Sequence, residues 1–188
     1  MLKLLRSFSL LGGVKSVTGN TLKALLTELT SNLAMEWVHK SDSVRIDAGT
    51  GQALTADVAS KILITGLGSA SDITQIKGLP STIWDGTNSK LMPEKAKDVY
   101  CLKIVFTLDP TATASNNNIT LDLKVSGTII ESTSMIIPKS TAHIYTWVIP
   151  ITASTASLAN GIEIHAKADM ACTLWGASIF IQRLSKGL

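Results

Sequence analysis

Charge is scarce in this chain. Asp, Glu, Lys and Arg make up 16% of its 188 residues, against about 25% in ordinary soluble domains. A monomer coated in water needs polar surface, so neutral polar side chains and contacts between subunits must replace the missing charge. From Thr111 to Asn160 only four residues are charged (Asp122, Lys124, Glu131 and Lys139), while twenty are Ser, Thr or Asn. That composition suits packed β-structure in an oligomer, because contact cores are depleted of charge.

Other absences narrow the function. The two cysteines, Cys101 and Cys172, lie far apart, which excludes a CxxC redox or zinc motif and a disulfide-rich scaffold. Free thiols or a single bridge both remain open. The three histidines, His39, His143 and His165, share no metal-like spacing. GxSxG, HExxH, P-loop and GxGxxG motifs are missing. Carboxylates are scattered; the one pairing a sheet could assemble for acid–base work is Asp122 with Glu131 or Glu163, and solvated outward positions account for all three. No apolar run reaches the ~18 residues that span a bilayer. The opening stretch, with Phe8 and paired leucines, has the look of a leader, but Arg6 interrupts it and no small-residue cleavage site follows. The expectation is a protein that is no enzyme, with no cofactor, no metal and no membrane span.

Charge of one sign is also missing locally. Residues 1–27 carry Lys3, Arg6, Lys15 and Lys23 and no acid. Four cations are too few for strong phosphate binding, so a nucleic-acid partner is not expected.

What is present is periodicity. Leu22, Leu25, Leu26, Leu29 and Leu33 form one apolar stripe at helical spacing, which predicts an amphipathic helix over 20–34. Thr18 or Asn20 can cap it. A helix this short needs packing, either on its own domain or on sister helices. After Ala34 the period becomes two. Tyr100, Leu102, Ile104, Phe106 and Leu108 share one face of a strand. Ile119, Leu121, Leu123 and Val125 alternate with Thr120, Asp122 and Lys124, and Ile162, Ile164, Ala166 and Ala168 with Glu163, His165 and Lys167. This is the pattern of half-buried antiparallel strands. Residues 128–137, 143–151 and 173–183 are more continuously apolar and predict strands that are either buried on both sides or turned toward a partner subunit. Turn signals separate the strands: Asp109 with Pro110, Asn116 to Asn118, Ser126 with Gly127, and Asn160 with Gly161. The aromatic residues fall mostly in strands, where core packing is expected. Trp84 lies in a loop-like stretch.

One segment is more distinctive. Leu79 and Pro80 precede Trp84 and Asp85; Thr87, Asn88, Lys90, Leu91 and Pro93 follow; and Tyr100, Leu102, Lys103, Ile104 and Phe106 form the next strand. This resembles a pattern in the virion structural proteins of tailed bacteriophages. Asn160 with Gly161, and the closing strand with Ser178, Ile179, Ile181 and Arg183, resemble later parts of that pattern. The likeness runs from Met35 to Leu184. The chain departs from it in an inserted loop, Ala70 to Thr74, and in Lys103, where arginine is usual.

The resemblance implies an all-β, antiparallel jelly-roll sandwich, similar to the trimeric tumour-necrosis-factor-like fold, and the helix expected over 20–34 places a short N-terminal helical arm before it. Residues 1–34 would be an anchoring and oligomerising arm and 35–188 the jelly roll. The implied role is a homotrimeric module on the surface of a virion, most simply a capsid decoration or head-fibre base. A tail-fibre tip, a receptor- or carbohydrate-binding module and a major capsid protein are the alternatives. Partners would be the chain itself, other capsid or tail proteins, and a host receptor or glycan. No catalytic residues carry over. Trp84 is expected to plug the base of the sandwich, Pro80 and Pro93 to fix the turns around it, and Asp85 to cap a turn.

Overall fold

The computed structural model describes residues 36–66, 73–74, 79, 81–110, 117–138 and 141–187. The chain divides into two compact units, Met1–Ala34 and Met35–Leu188. The first unit, with Leu22, Leu25, Leu26, Leu29 and Leu33, lies outside the described residues, and so does Pro80.

The second unit is an antiparallel sandwich of two six-stranded sheets. Sheet A contains β1 (Glu36–Ser41), β2 (Gln52–Leu54), β4 (Ile73–Thr74), β7 (Val99–Pro110), β10 (His143–Thr152) and β12 (Cys172–Ser185). Its order is β10-β7-β12-β1-β4, with β2 paired to the start of β12. Sheet B contains β3 (Ser60–Lys61), β5 (Trp84–Asp85), β6 (Lys90–Leu91), β8 (Asn117–Val125), β9 (Thr128–Ile137) and β11 (Ile162–Ala168). Its order is β5-β6-β11-β8-β9, with β3 also on β11. Among the long strands only β8 and β9 form a simple hairpin. Every other consecutive pair from β7 onward crosses between sheets, and the neighbours within each sheet are distant in sequence. This is jelly-roll topology.

The predicted alternation builds the core. Tyr100, Leu102, Ile104, Phe106 and Leu108 on β7 are wholly buried, as are Ile119, Leu121 and Leu123 on β8. Ile162, Ile164, Ala166 and Ala168 on β11 complete the facing layer, and Leu174, Ala177, Ile179 and Ile181 on β12 close it. Phe106 stacks on Tyr145 with ring centroids 5.5 Å apart. A fully buried Leu, Ile or Phe contributes about 1.5–3 kcal/mol, so this layer is the main source of stability.

Two turns needed particular residues. Ser126 and Gly127 join β8 to β9 with φ of 48° and 80°, the left-handed pair of a tight hairpin turn that matches strand twist. Gly176, at φ 61°, sits where the β12–β7 register shifts between Trp175 and Ser178. Its N–H donates to the Arg45 carbonyl at 2.7 Å, so the bulge is tied to the β1–β2 connection. Residues Val44 and Ile46 in that connection are exposed and lie outside any strand. One short helix, α1 (Thr155–Asn160), is closed by a capping box between Ser154 and Ser157.

Candidate oligomer interface

The two sheets present opposite kinds of surface to the outside. On sheet B the outward side chains form rows of charge. The strand registers place Lys124 beside Glu163, Asp122 beside His165 and Thr120 beside Lys167. Glu163 accepts from Lys61 Nζ at 3.2 Å and lies 3.0 Å from His165 Nε2. These partners, His165 first, hold its carboxyl below the ordinary carboxylate value. Asp122 accepts from Ser132 Oγ at 2.7 Å and lies 3.9 Å from Lys124 Nζ. Both carboxylates are therefore paired in place by neighbours; Glu163 is half-buried, and Asp122, expected in a solvated position, is buried at 7% exposure beneath its partners.

Sheet A is different. Its outward rows run Trp37, Gln182, Cys101, Pro150; then His39, Phe180, Lys103, Val148; then Ser41, Ser178, Val105, Thr146; and finally Trp175, Thr107, Ile144. Trp37 stacks on Phe180 with centroids 4.8 Å apart. Ile144 is 74% and Val148 57% exposed. At the centre His39, Lys103, Val105, Ser178 and Phe180 line a depression of about 130 Å³. The outward rows mix these large apolar side chains with His39, Lys103, Gln182 and several Ser and Thr residues, and exposed aromatic and aliphatic side chains grouped on one sheet mark a candidate contact surface. Trp37, Trp175 and Phe180 were expected in the core; the register puts them on this outer face instead, half-buried.

The third feature, among the described residues, is an open rim. β10 ends sheet A and β9 ends sheet B, so both long edge strands lie on the same side of the sandwich, linked by a bond from Tyr145 Oη to the Ile136 carbonyl at 3.1 Å. Neither strand is buried on both sides. On β9 Ile129, Ile130 and Ile136 are exposed. Long, apolar, unpaired edges are usually covered or blunted in native proteins.

The segment singled out in the sequence lies at one end. Trp84 is buried, and its Nε1–H donates to the Ile64 carbonyl at 2.9 Å. Asp85 accepts from the Asn88 backbone N–H at 3.0 Å and from its side-chain amide at 2.7 Å, which holds the carboxyl below its usual range. Pro93 is buried. Thr82, Trp84, Asp85, Gly86, Met92, Pro93 and Glu94 line an open cleft of about 660 Å³. Beside it, Asp98 accepts from Tyr100 Oη at 2.9 Å, from the Gly187 N–H at 2.8 Å and from Arg183 Nη1 at 3.2 Å. Arg183 also pairs with Glu94. Sequence reasoning missed this buried network: Asp98 and Arg183 lie 85 positions apart, and no local motif joins them.

Among the described residues the histidines and cysteines do not converge. His39 lies on the outer face of sheet A and His165 on that of sheet B, while His143 begins β10. Cys172 is buried inward on β12, whereas Cys101 faces outward on β7; both are free thiols. Among the described residues no cluster of His, Cys, Asp or Glu is arranged to hold a metal ion, and no helix is long and apolar enough to cross a membrane.

No protein-family model and no curated protein matches the chain. Solved structures that resemble it include "PRD1 vertex protein P5", at 16% identity and TM-score 0.40, covering 81% of this chain and 73% of that one. The Eiger TNF of S. frugiperda aligns at 8% identity and TM-score 0.47 over 82% of this chain and 95% of its own. The cryo-EM structure of Broad Bean Stain Virus aligns at 6% identity and TM-score 0.24, over 81% and 85%.

Proposed function

We propose that this chain is a structural subunit of a virus particle that works as a homotrimer, with the outer face of sheet A as its contact surface. The observation that carries the subunit reading is the asymmetry between the faces: charged and internally neutralised on sheet B, apolar and aromatic on sheet A. Placement on a virion is supported by the resemblance from Met35 to Leu184. In that role the module adds subunit contacts at the particle surface as a capsid decoration or head-fibre base. A glycan-binding tip is the weaker reading, because Trp84, the loop aromatic it would rely on, is buried with its N–H already bonded.

Light scattering of the purified chain tests the assembly. The expected mass is three times 19.9 kDa, and Phe180→Glu should give a folded protein of single-chain mass. A wild-type monomer at every concentration would refute the subunit reading. Peptide mass spectrometry of purified particles of the virus that encodes the chain tests the placement; absence of the chain from them would overturn it.

A further inference from the structure

We infer that the depression on the outer face of sheet A is a binding site for a small tetrahedral oxyanion of the phosphate or sulfate class, held by Lys103, His39 and Ser178. All three residues come from one chain, so the site stands whether or not the subunit reading above does.

The strand register makes the hollow. His39, Phe180 and Lys103 lie side by side on β1, β12 and β7, and Ser178 and Val105 occupy the next row. Phe180 stacks on Trp37, in the row on its other side, with centroids 4.8 Å apart. Its ring is drawn away from Ser178, whose small side chain leaves the space unfilled. What remains is a depression of about 130 Å³ lined by His39, Lys103, Val105, Ser178 and Phe180. That is room for about four waters at ~30 Å³ each, the scale of one small ion.

The polar groups around it are donors, and their side chains are unused. Lys103 brings an ammonium, His39 an imidazole N–H in either protonation state, and Ser178 a hydroxyl. Among the described residues none of these side chains has a hydrogen-bond or ionic partner. Acids are remote: the described strands of sheet A hold only Glu36, at the start of β1, and Asp109, near the end of β7. On sheet B, by contrast, Lys61 and Lys124 meet Glu163 and Asp122.

His39 and Lys103 stand on either side of β12, about 10 Å apart at the backbone, or two strand spacings. Both side chains can lean toward one ion between them, with Ser178 on the middle strand. A tetrahedral oxyanion offers an oxygen to each donor and one to solvent. A planar carboxylate has only two oxygens for three donors and is the poorer fit. Hydrogen bonds with charge on both partners are the strong ones. On a face that meets another copy, the ion would also cancel the charge of Lys103. Phosphate should then lower the concentration at which the chain associates, a consequence that does rest on the subunit reading.

The test is calorimetric titration of the full chain with inorganic phosphate, in chloride buffer of constant ionic strength, with folding checked by circular dichroism. The expected result is saturable binding of a single ion per chain, with acetate at least about tenfold weaker. Lys103→Gln should weaken phosphate binding by about tenfold or more, and Lys103→Arg should retain most of it. Lys167→Gln, on the other sheet, should leave it unchanged. His39→Leu is the second variant should Lys103→Gln fail to fold, with the same loss expected. No saturable binding by the wild type would overturn the site and leave the subunit reading, which rests on the mass, standing. Equal losses in Lys103→Gln and Lys167→Gln would reveal diffuse attraction to surface charge and overturn it too. Acetate bound as tightly as phosphate would overturn the tetrahedral class in favour of a carboxylate. A wild-type monomer that binds phosphate would keep the site and remove the subunit reading.

Discussion

Asp98 shows how much a single buried side chain can hold. Its carboxylate receives the Tyr100 hydroxyl, the Gly187 backbone N–H and the Arg183 guanidinium while only 1% exposed. It joins the loop before β7, the end of β12 and the C-terminal residues at one point. Burial pushes the Tyr100 phenol well above its ordinary value, so it remains a donor at any physiological pH. Asp98→Ala leaves the Gly187 N–H without its acceptor and the Arg183 guanidinium without its buried carboxylate, with Glu94 still beside it, and should cost about 3 kcal/mol, measured by urea denaturation. Glu163 acts through pH. Its folded pKa lies below the ordinary 4.5, chiefly through His165 and then Lys61. A depressed carboxyl value contributes stability that is present above the unfolded value and lost as pH falls through the folded one. Denaturation midpoints of the wild type should therefore drop below about pH 4.5 more steeply than those of Glu163→Gln. Parallel acid limbs would show that the pair contributes nothing.

Among the elements, the β8–β9 hairpin is the one whose structure is set locally. Ser126 and Gly127 adopt the positive φ values that the two-residue turn requires, and alternation along β8 aims Ile119, Leu121 and Leu123 into the core. A Cβ on Gly127 meets no atom within 4 Å, so the obstacle to substitution is backbone strain rather than crowding. Gly127→Val should lose about 1–3 kcal/mol, with no change in which strands pair, as a thermal melt and an amide-exchange map would report. Ser126→Asn should be neutral or slightly stabilising, because Asn tolerates the same conformation. The β12 strand differs. Its bulge at Gly176 is held by the Arg45 carbonyl, an interaction far from it in sequence. Of the short strands β5 and β6, β6 pairs with β11 and β5 with β6.

For the whole molecule, the two cysteines report on which face is covered. Cys172 is buried in the core, and burial pushes its thiol up to about 11. A thiol reacts as its thiolate, so Cys172 should resist alkylation until the protein unfolds. Cys101 stands half-buried on the outer face of sheet A, in the row with Trp37 and Gln182. It should be alkylated in dilute, dissociated protein and protected as concentration rises, followed by mass spectrometry against time. Modification of Cys101 at a rate independent of concentration would argue that this face is not the contact surface.

The sequence by itself determined which residues alternate, and therefore which strands exist and which side of each is buried. The inward set on β7, β8 and β11 and the turn at Ser126 and Gly127 follow from period-two patterning and local backbone chemistry, both carried by neighbours in the chain. Scarce charge and continuously apolar strands already pointed to contact surfaces. Only the tertiary structure decided where those surfaces lie. It made β9 and β10 edges rather than doubly covered strands, and it turned Trp37, Trp175 and Phe180 outward onto one sheet. It also brought Asp98 to Arg183, and Glu163 to Lys61. These outcomes depend on the order of strands in a jelly roll, where hydrogen-bonded neighbours are far apart along the chain. An apolar strand looks the same in sequence whether a second sheet, or a second copy of the molecule, covers its other face.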